Sequence, residues 1–265
     1  MQKHAQKEEM NMAVYEITFS PTGGTDKVTD ILMEGWQEEK KEISILSAED
    51  NYADYKFQKE DICFISMPSF GGRIPQIAAE RLGQMKGNGA RAVLVCVYGN
   101  RAYEDTLIEL KDKAEEAGFV TYGAVAAVAE HSIMRKFAAG RPDEKDTAEL
   151  QEFGRKLREK LEQGTDCGEV QVPGNHPYKK LGTIPFIPKP GRGCNSCGYC
   201  ARFCPVGAID PKDVKKVDEK KCISCMRCIS VCPKNVRKLN KVVLLAAETK
   251  MAKLFEERKE NELFL

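Results

Sequence analysis

The chain has 265 residues, enough for one large domain or for a medium domain followed by a small one. Apolar residues make up 42% and charged residues 31%, which excludes a disordered chain. The formal net charge of +1 gives no electrostatic reason to expect DNA or RNA as a partner, and short basic stretches such as Lys215-Lys216 and Lys220-Lys221 read as a solvated rim.

The N-terminal MQKHAQKEEMNM stretch is polar, without the apolar centre of a signal peptide, and reads as a flexible leader. Apolar runs 124–129 and 242–247 fall far short of the roughly 20 residues a spanning helix needs, so no membrane segment is expected. Eleven cysteines without a secretory signal point to metal ligation in a reducing cytoplasm rather than to disulfides.

From residue 12 to 164, apolar runs alternate with helical patterns. The pattern predicts strands over 13–20, 42–46, 61–67, 90–98 and 119–129. Val28, Ile31, Leu32 and Trp36 share one face of the first helix, and Leu107, Leu110, Ala114 and Ala117 share one face of another. Leu150, Phe153, Leu157 and Leu161 line a third, opened by the acidic stretch from Asp143 to Asp146. The 47–60 connection is too polar and short for a helix. Five strands with intervening helices imply an α/β, doubly wound parallel sheet. Cys63 and Cys96 lie inside apolar runs and read as core residues, and Cys167 stands alone in a loop.

In such a sheet, ligands bind beyond the carboxyl ends of the strands. The first loop there is Ser20-Pro21-Thr22-Gly23-Gly24-Thr25, between strand 1 and helix 1. Its glycines let the backbone curl around an anion, its hydroxyls donate, and the helix N-terminus adds its dipole. With no Lys at a Walker position and no G-x-G-x-x-G, the loop suits a phosphate monoester on a different cofactor, or else a plain helix entry with capping hydroxyls.

Residues 164–193, rich in Pro and Gly, read as a semi-extended strap pinned by Ile184, Phe186 and Ile187. The 165–190 stretch is the expected interdomain linker. An internal repeat follows: Cys194-Asn-Ser-Cys197-Gly-Tyr-Cys200-Ala-Arg-Phe-Cys204-Pro205 and Cys222-Ile-Ser-Cys225-Met-Arg-Cys228-Ile-Ser-Val-Cys232-Pro233. Both obey C-x2-C-x2-C-x3-C-P, the run that holds [4Fe–4S] clusters in bacterial ferredoxins, with the fourth cysteine serving the other cluster. One cluster is therefore expected on Cys194, Cys197, Cys200 and Cys232, and a second on Cys222, Cys225, Cys228 and Cys204. Structural zinc is the competing reading, although three cysteines at this spacing crowd a single tetrahedral ion. A small α+β domain over 191–239 follows, and 240–265 is expected as a C-terminal helix. Its helical period runs over 236–258, with Leu239, Val243, Ala246 and Leu254 facing inward.

Ser-x-Thr-Gly-x-Thr after the first strand resembles the phosphate loop of flavodoxins. Two more loops fall where flavodoxins cover the flavin ring: Pro68-Ser69-Phe70-Gly71-Gly72-Arg73 and Tyr98-Gly99-Asn100-Arg101-Ala102-Tyr103. With the tandem cysteine motif and the YGNRAYEDTL stretch, the chain from Met12 to Leu239 resembles the flavodoxin–ferredoxin fusion proteins of anaerobic bacteria and archaea. That resemblance implies a sheet of order 2-1-3-4-5 and an FMN cofactor. The phosphate would sit on Ser20, Thr22, Gly23, Gly24 and Thr25. The ring would lie against Pro68, Ser69, Tyr98 and Arg101 and backbone groups of Gly71, Gly72, Gly99 and Asn100, with Phe70 or Tyr103 stacking.

The first ring loop lacks a Trp. Arg73 and Arg101 would favour an anionic reduced flavin there, or stand as exposed rim residues. His131, just past strand 5, is either a flavin contact or a loop cap. FMN and two clusters on one chain imply electron transfer with ferredoxin-like redox partner proteins. The alternative is an FMN-dependent reductase of a small-molecule substrate; no acid–base pair or nucleophile stands out.

Overall fold

The computed structural model describes residues 12–164, 168–182 and 186–265. The expectations for residues 1–11 of the N-terminal leader, for Cys167 and for Ile184 lie outside these residues. Five parallel strands form the N-terminal sheet: β1 (Val14–Thr18), β2 (Lys40–Ser44), β3 (Ile62–Pro68), β4 (Arg91–Tyr98) and β5 (Val120–Val128). Their order, β2-β1-β3-β4-β5, is that of the flavodoxin-like doubly wound fold. A single 3₁₀ turn (Tyr52–Asp54) occupies the β2–β3 connection.

Strict alternation builds two cores. On β3, Cys63, Ile65 and Met67 face one layer while Ile62 and Phe64 face the other. The first layer is closed by α2 (Gln76–Leu82) and α3 (Thr106–Glu116), the second by α1 (Gly24–Leu32) and α4 (Glu144–Glu162). Cys63 and Cys96 are fully buried among them. A capping box starts α4, in which Asp143 and Asp146 bond each other's backbone N–H. Gly154 lets α4 meet α1: a Cβ there would lie 2.1 Å from the Leu32 carbonyl oxygen.

The strap is tied along α3. Asp105 accepts from the backbone N–H groups of Asn175 and Lys179, and Asp112 accepts from His176 and Tyr178. The cysteine segment follows with a two-stranded ribbon, β6 (Lys189–Pro190) and β7 (Arg237–Lys238), and two single-turn helices, α5 (Tyr199–Arg202) and α6 (Arg227–Ser230).

The C-terminal segment departs from expectation. Helix α7 covers only Lys241–Met251, a 3₁₀ turn runs Ala252–Phe255, and β8 (Glu262–Phe264) adds a sixth, antiparallel strand to the main sheet beside β5. Val243, Ala246 and Leu254 are exposed rather than packed inward. The physical reason lies at the far end of the segment, where the sheet edge and a buried carboxylate capture the chain after Phe255. Asn261 Oδ1 accepts from the Val128 N–H, and Asn261 Nδ2 donates to Asp146. Among the described residues no helix is long and apolar enough to cross a membrane.

Candidate functional site

Three loops and the cysteine segment meet at the carboxyl ends of the strands. They border, with the loop after β5, a cavity that opens to solvent. The β1–α1 loop contributes Pro21, Thr22, Gly24 and Thr25, and the β3 loop Pro68, Ser69 and Phe70. The β4 loop adds Tyr98 and Gly99, the β5 loop Glu130, His131 and Ser132, and the cysteine segment Cys225.

Of the residues expected on the phosphate, Thr22, Gly24 and Thr25 line the cavity. Gly23 adopts φ +87°, which turns the chain into α1 without a side-chain cap. Ser20 lies beneath, its hydroxyl accepting from the Asp26 N–H, and does not line the cavity. Gly23 faces a neighbouring groove that it shares with Thr22 and Gly24.

The ring loops are only partly turned inward. Gly71 and Gly72 have φ of +65° and +88° and make a tight turn in which the Phe70 N–H donates to the Arg73 carbonyl. A Cβ on Gly72 would meet the Glu104 carboxylate at 1.9 Å, so that glycine makes room for Glu104. Arg73 is turned away from the cavity. Its Nε and Nη2 grip Glu109 at 2.7 and 2.6 Å, Nη1 donates to the Lys179 carbonyl, and the guanidinium lies over the Tyr178 ring. Arg101 pairs with Glu104. Both arginines are therefore ion-paired at the rim and neither lines the cavity, although the Arg101 charge still acts on His131. The Asn100 side chain donates to the Phe255 and Glu257 carbonyls and accepts from the Lys259 N–H, and the Tyr103 hydroxyl donates to Glu262. These two hold the C-terminal segment instead of lining the cavity, because β8 returns to the sheet beside them.

His131 caps its loop and also borders the cavity. Its Nδ1 accepts from the N–H groups of Ile133 and Met134, which leaves the proton on Nε2, while the ring lines the cavity. Gly99 makes the ring's place, since a Cβ there would lie 2.7 Å from His131 Cδ2. Burial lowers the imidazole pKa from 6.5 to about 4, so the ring is neutral at physiological pH. A folded pKa below the unfolded one means that the unfolded chain binds the extra proton first as pH falls. This contribution therefore removes stability between about pH 6.5 and 4. His131→Gln should lose less stability than the wild type between pH 7 and 5 in anaerobic urea titrations. Glu16, whose burial raises its pKa to about 7, acts with the opposite sign but equally in both proteins. Parallel slopes would sink the assignment.

The cysteines of the repeats fall into two groups, each around its own small cavity. Cys194, Cys197, Cys200 and Cys232 line one. Cys204, Cys222, Cys225 and Cys228 line the other, with apolar Val206, Ile209 and Val217. These are the two crossed sets that the repeat spacing pairs. Four thiols converging on an apolar space are the donor set that a cubane takes. Burial pushes the Cys228 thiol up to about 11, and the nearby Arg237 guanidinium is the largest opposing influence.

Direct contacts dock this segment on the sheet. Arg227 and Ser230, on α6, donate to the Pro21 carbonyl at 3.3 and 3.0 Å. Buried Arg81 bridges the Ile45 and Pro205 carbonyls at 2.9 and 2.6 Å. Sequence reasoning missed Glu130, Ser132 and Cys225 as cavity residues. The first two had a usable signal, because they follow the fifth strand as the other loops follow theirs. Cys225 had none, because its place at this cavity depends on contacts 206 and 209 residues apart.

Residues 193–238 match the model of the 4Fe-4S dicluster domain family. An uncharacterized ferredoxin-like protein, YdhX, of Escherichia coli K12 is 36% identical over 74 residues, which cover 24% of this chain and 33% of that protein. One component of an ion-translocating oxidoreductase complex of Methanosarcina acetivorans is 35% identical over 48 residues, 18% of each chain. The chain thus spans about a third or less of these curated relatives. Among solved structures, a flavodoxin of Streptococcus pneumonia TIGR4 is similar at 18% identity and a TM-score of 0.41, covering 56% of this chain and 99% of its own. An archaeal flavodoxin is similar at 16% identity with the same TM-score, covering 57% and 99%. From the cysteine repeat, the matched residues and the strand order together, the chain joins a flavodoxin-like domain to a C-terminal ferredoxin-like 4Fe-4S domain.

Proposed function

We propose that this protein is an electron-transfer flavo-iron-sulfur protein that holds FMN in the loop cavity and two [4Fe–4S] clusters in the cysteine cavities. It would exchange electrons with ferredoxin-like redox partners in the cytoplasm, where thiols stay reduced. One observation carries the reading. Cys225 lines both the loop cavity and the second cysteine cavity, so a single ligand side chain separates the two sites. The two cysteine cavities likewise share Arg237.

When bound, the flavin supplies the ability to take two electrons and the clusters the ability to pass one at a time. The chain's own residues fix the order of the sites. The α6–Pro21 bonds and Arg81 hold the cysteine segment against the loop cavity, and Thr22, Gly24 and Thr25 offer the anion-binding end for the FMN phosphate. Phe70 and Tyr98 present aromatic surface to the ring, and the neutral His131 adds no charge beside it.

A small-molecule reductase is the second reading, favoured by a groove of about 1350 Å³ beside the phosphate loop. Ile133, Met226, Ile229 and Leu244 give it apolar surface, and Lys27, Lys238 and Lys241 give it positive charge. Anaerobic purification with iron, sulfide and FMN quantified, followed by EPR during a redox titration, tests the main reading. About eight irons and one FMN per chain are expected. Zinc in place of iron, or no flavin after supplementation, overturns it. Turnover of added small-molecule acceptors in the same preparation would select the second reading.

A further inference from the structure

The two cysteine repeats differ in charge at a buried position. Aligning Cys204-Pro205 on Cys232-Pro233 sets Arg237 opposite Ile209. Ile209 is 5% exposed, as an aliphatic side chain in an apolar site should be, yet Arg237 is only 2% exposed. Its Nη1 donates to the Val214 carbonyl at 3.0 Å and approaches Cys200 Sγ at 3.4 Å. Its Nε and Nη2 are buried without a hydrogen-bond partner.

A guanidinium with two unmet donors in an apolar interior is a costly arrangement, since each such donor loses its water without replacement. No carboxylate is paired with it among the described residues, whereas both cysteine cavities are lined by it. The missing partner is therefore an anion with acceptor atoms on both sides of the side chain. A cubane held by four thiolates has that character, because its net charge is negative and its sulfurs accept hydrogen bonds.

We propose that Arg237 is a positioning residue shared by both cluster sites, a buried cation between them whose free N–H groups face the cluster sulfurs and which raises both reduction potentials. The inference rests on the cluster assignment above. Reduction adds one negative charge to a cluster, so a fixed positive charge at its border favours the reduced form. Sharing one cation between the sites shifts both potentials in the same direction, which a ligand-side bond to one cluster would not do.

The test is an EPR-monitored redox titration of the wild type, Arg237→Gln, Arg237→Lys and, as a surface-charge control, Lys238→Gln, with iron counted in each. Wild-type protein without [4Fe–4S] signals would fail the cluster assignment itself. Given those signals, Arg237→Gln is expected to lower the reduced-to-oxidised ratio of both clusters at fixed potential by about tenfold, or about 59 mV for one electron. Arg237→Lys, which keeps the charge but loses the fork, should shift both in the same direction by less. Lys238→Gln should shift neither. Unchanged potentials in iron-replete Arg237→Gln overturn the proposal, as does an equal shift in Lys238→Gln. If only Arg237→Lys retains iron, both its potentials must fall, and unchanged ones overturn the proposal. Loss of iron from both Arg237 variants assigns the residue to folding of the site and also overturns it.

Discussion

Arg141→Met is expected to lower the unfolding free energy by about 3–5 kcal/mol, the cost of leaving a buried carboxylate without its ion-pair partner. Arg141 and Asp146 form an ion pair whose side chains are 4% and 0% exposed. Nε and Nη2 of the arginine reach the two carboxylate oxygens at 2.7 and 2.5 Å, and Nη1 donates to Asn100 Oδ1 and the Lys259 carbonyl. Asp146 also accepts from the Asp143 N–H, Asn261 and Arg258. The pair therefore fastens the start of α4, the β4 loop and the returning C-terminal segment at one point. Removing the arginine leaves a buried carboxylate short of its strongest partner.

The pH dependence has a definite sign. Burial by itself raises the Asp146 pKa, but the bonds from Arg141 and the other donors outweigh it and hold the carboxyl below its ordinary value. The wild-type contribution is thus present above the unfolded pKa of about 3.9 and is lost as pH falls through the lower folded value. In the variant the buried carboxyl binds a proton more readily than in the unfolded chain, so its deficit should shrink on acidification. Anaerobic urea titrations at pH 7 and pH 5 check both statements. A loss below about 1 kcal/mol at pH 7, or a deficit that grows toward pH 5, would rule the argument out. Limited proteolysis should cut within 255–262 in the variant before it does in the wild type, because Arg141 holds Lys259 and Asn100 holds the carbonyls of Phe255 and Glu257.

Cys225→Ser should separate the two ends of the proposed relay. On the ligand assignment above, iron falls from about eight to about four per chain, while FMN binding persists, since Cys225 is the sole cysteine-segment residue at the loop cavity. The remaining cysteine cavity shares no lining residue with the loop cavity. Electron tunnelling falls off exponentially with distance. Flavin reduction by a reduced small bacterial ferredoxin, followed anaerobically by stopped flow, should therefore slow by at least about tenfold, a barrier equivalent of about 1.4 kcal/mol. Wild-type speed in a four-iron variant would mean that electrons reach the loop cavity directly, and the proposed order of sites would be wrong.

How much could be read beforehand depended on the range of the forces involved. The five parallel strands emerge within a residue or two of the predicted spans, four of them as local apolar runs and β2, with only Ile43 buried, through its pairing with β1. The alternation on β3 and β4 settles two faces without knowledge of any partner. Helix α4 was legible from its stripe and from the acids that became its capping box. Strand β8 was not: three residues, Glu262–Phe264, carry no period, and pairing with β5 alone makes them a strand. The choice between a flavin-facing and a rim position for Arg73 and Arg101 stayed open for a related reason, because the carboxylates that claim them, Glu109 and Glu104, act through side-chain geometry.

The sequence by itself determined the cysteine chemistry: two runs of C-x2-C-x2-C-x3-C-P, each short enough for backbone geometry to place three thiols around one void. It also determined the sheet that carries the loop cavity. Only the tertiary structure decided which cysteine meets that cavity and which arginine lies between the two voids. Those placements follow from hydrogen bonds such as Ser230 to Pro21 and Arg81 to Pro205, made between residues 209 and 124 positions apart. A spacing pattern encodes only what neighbouring residues can reach. The order of the sites is set by how the chain folds back on itself.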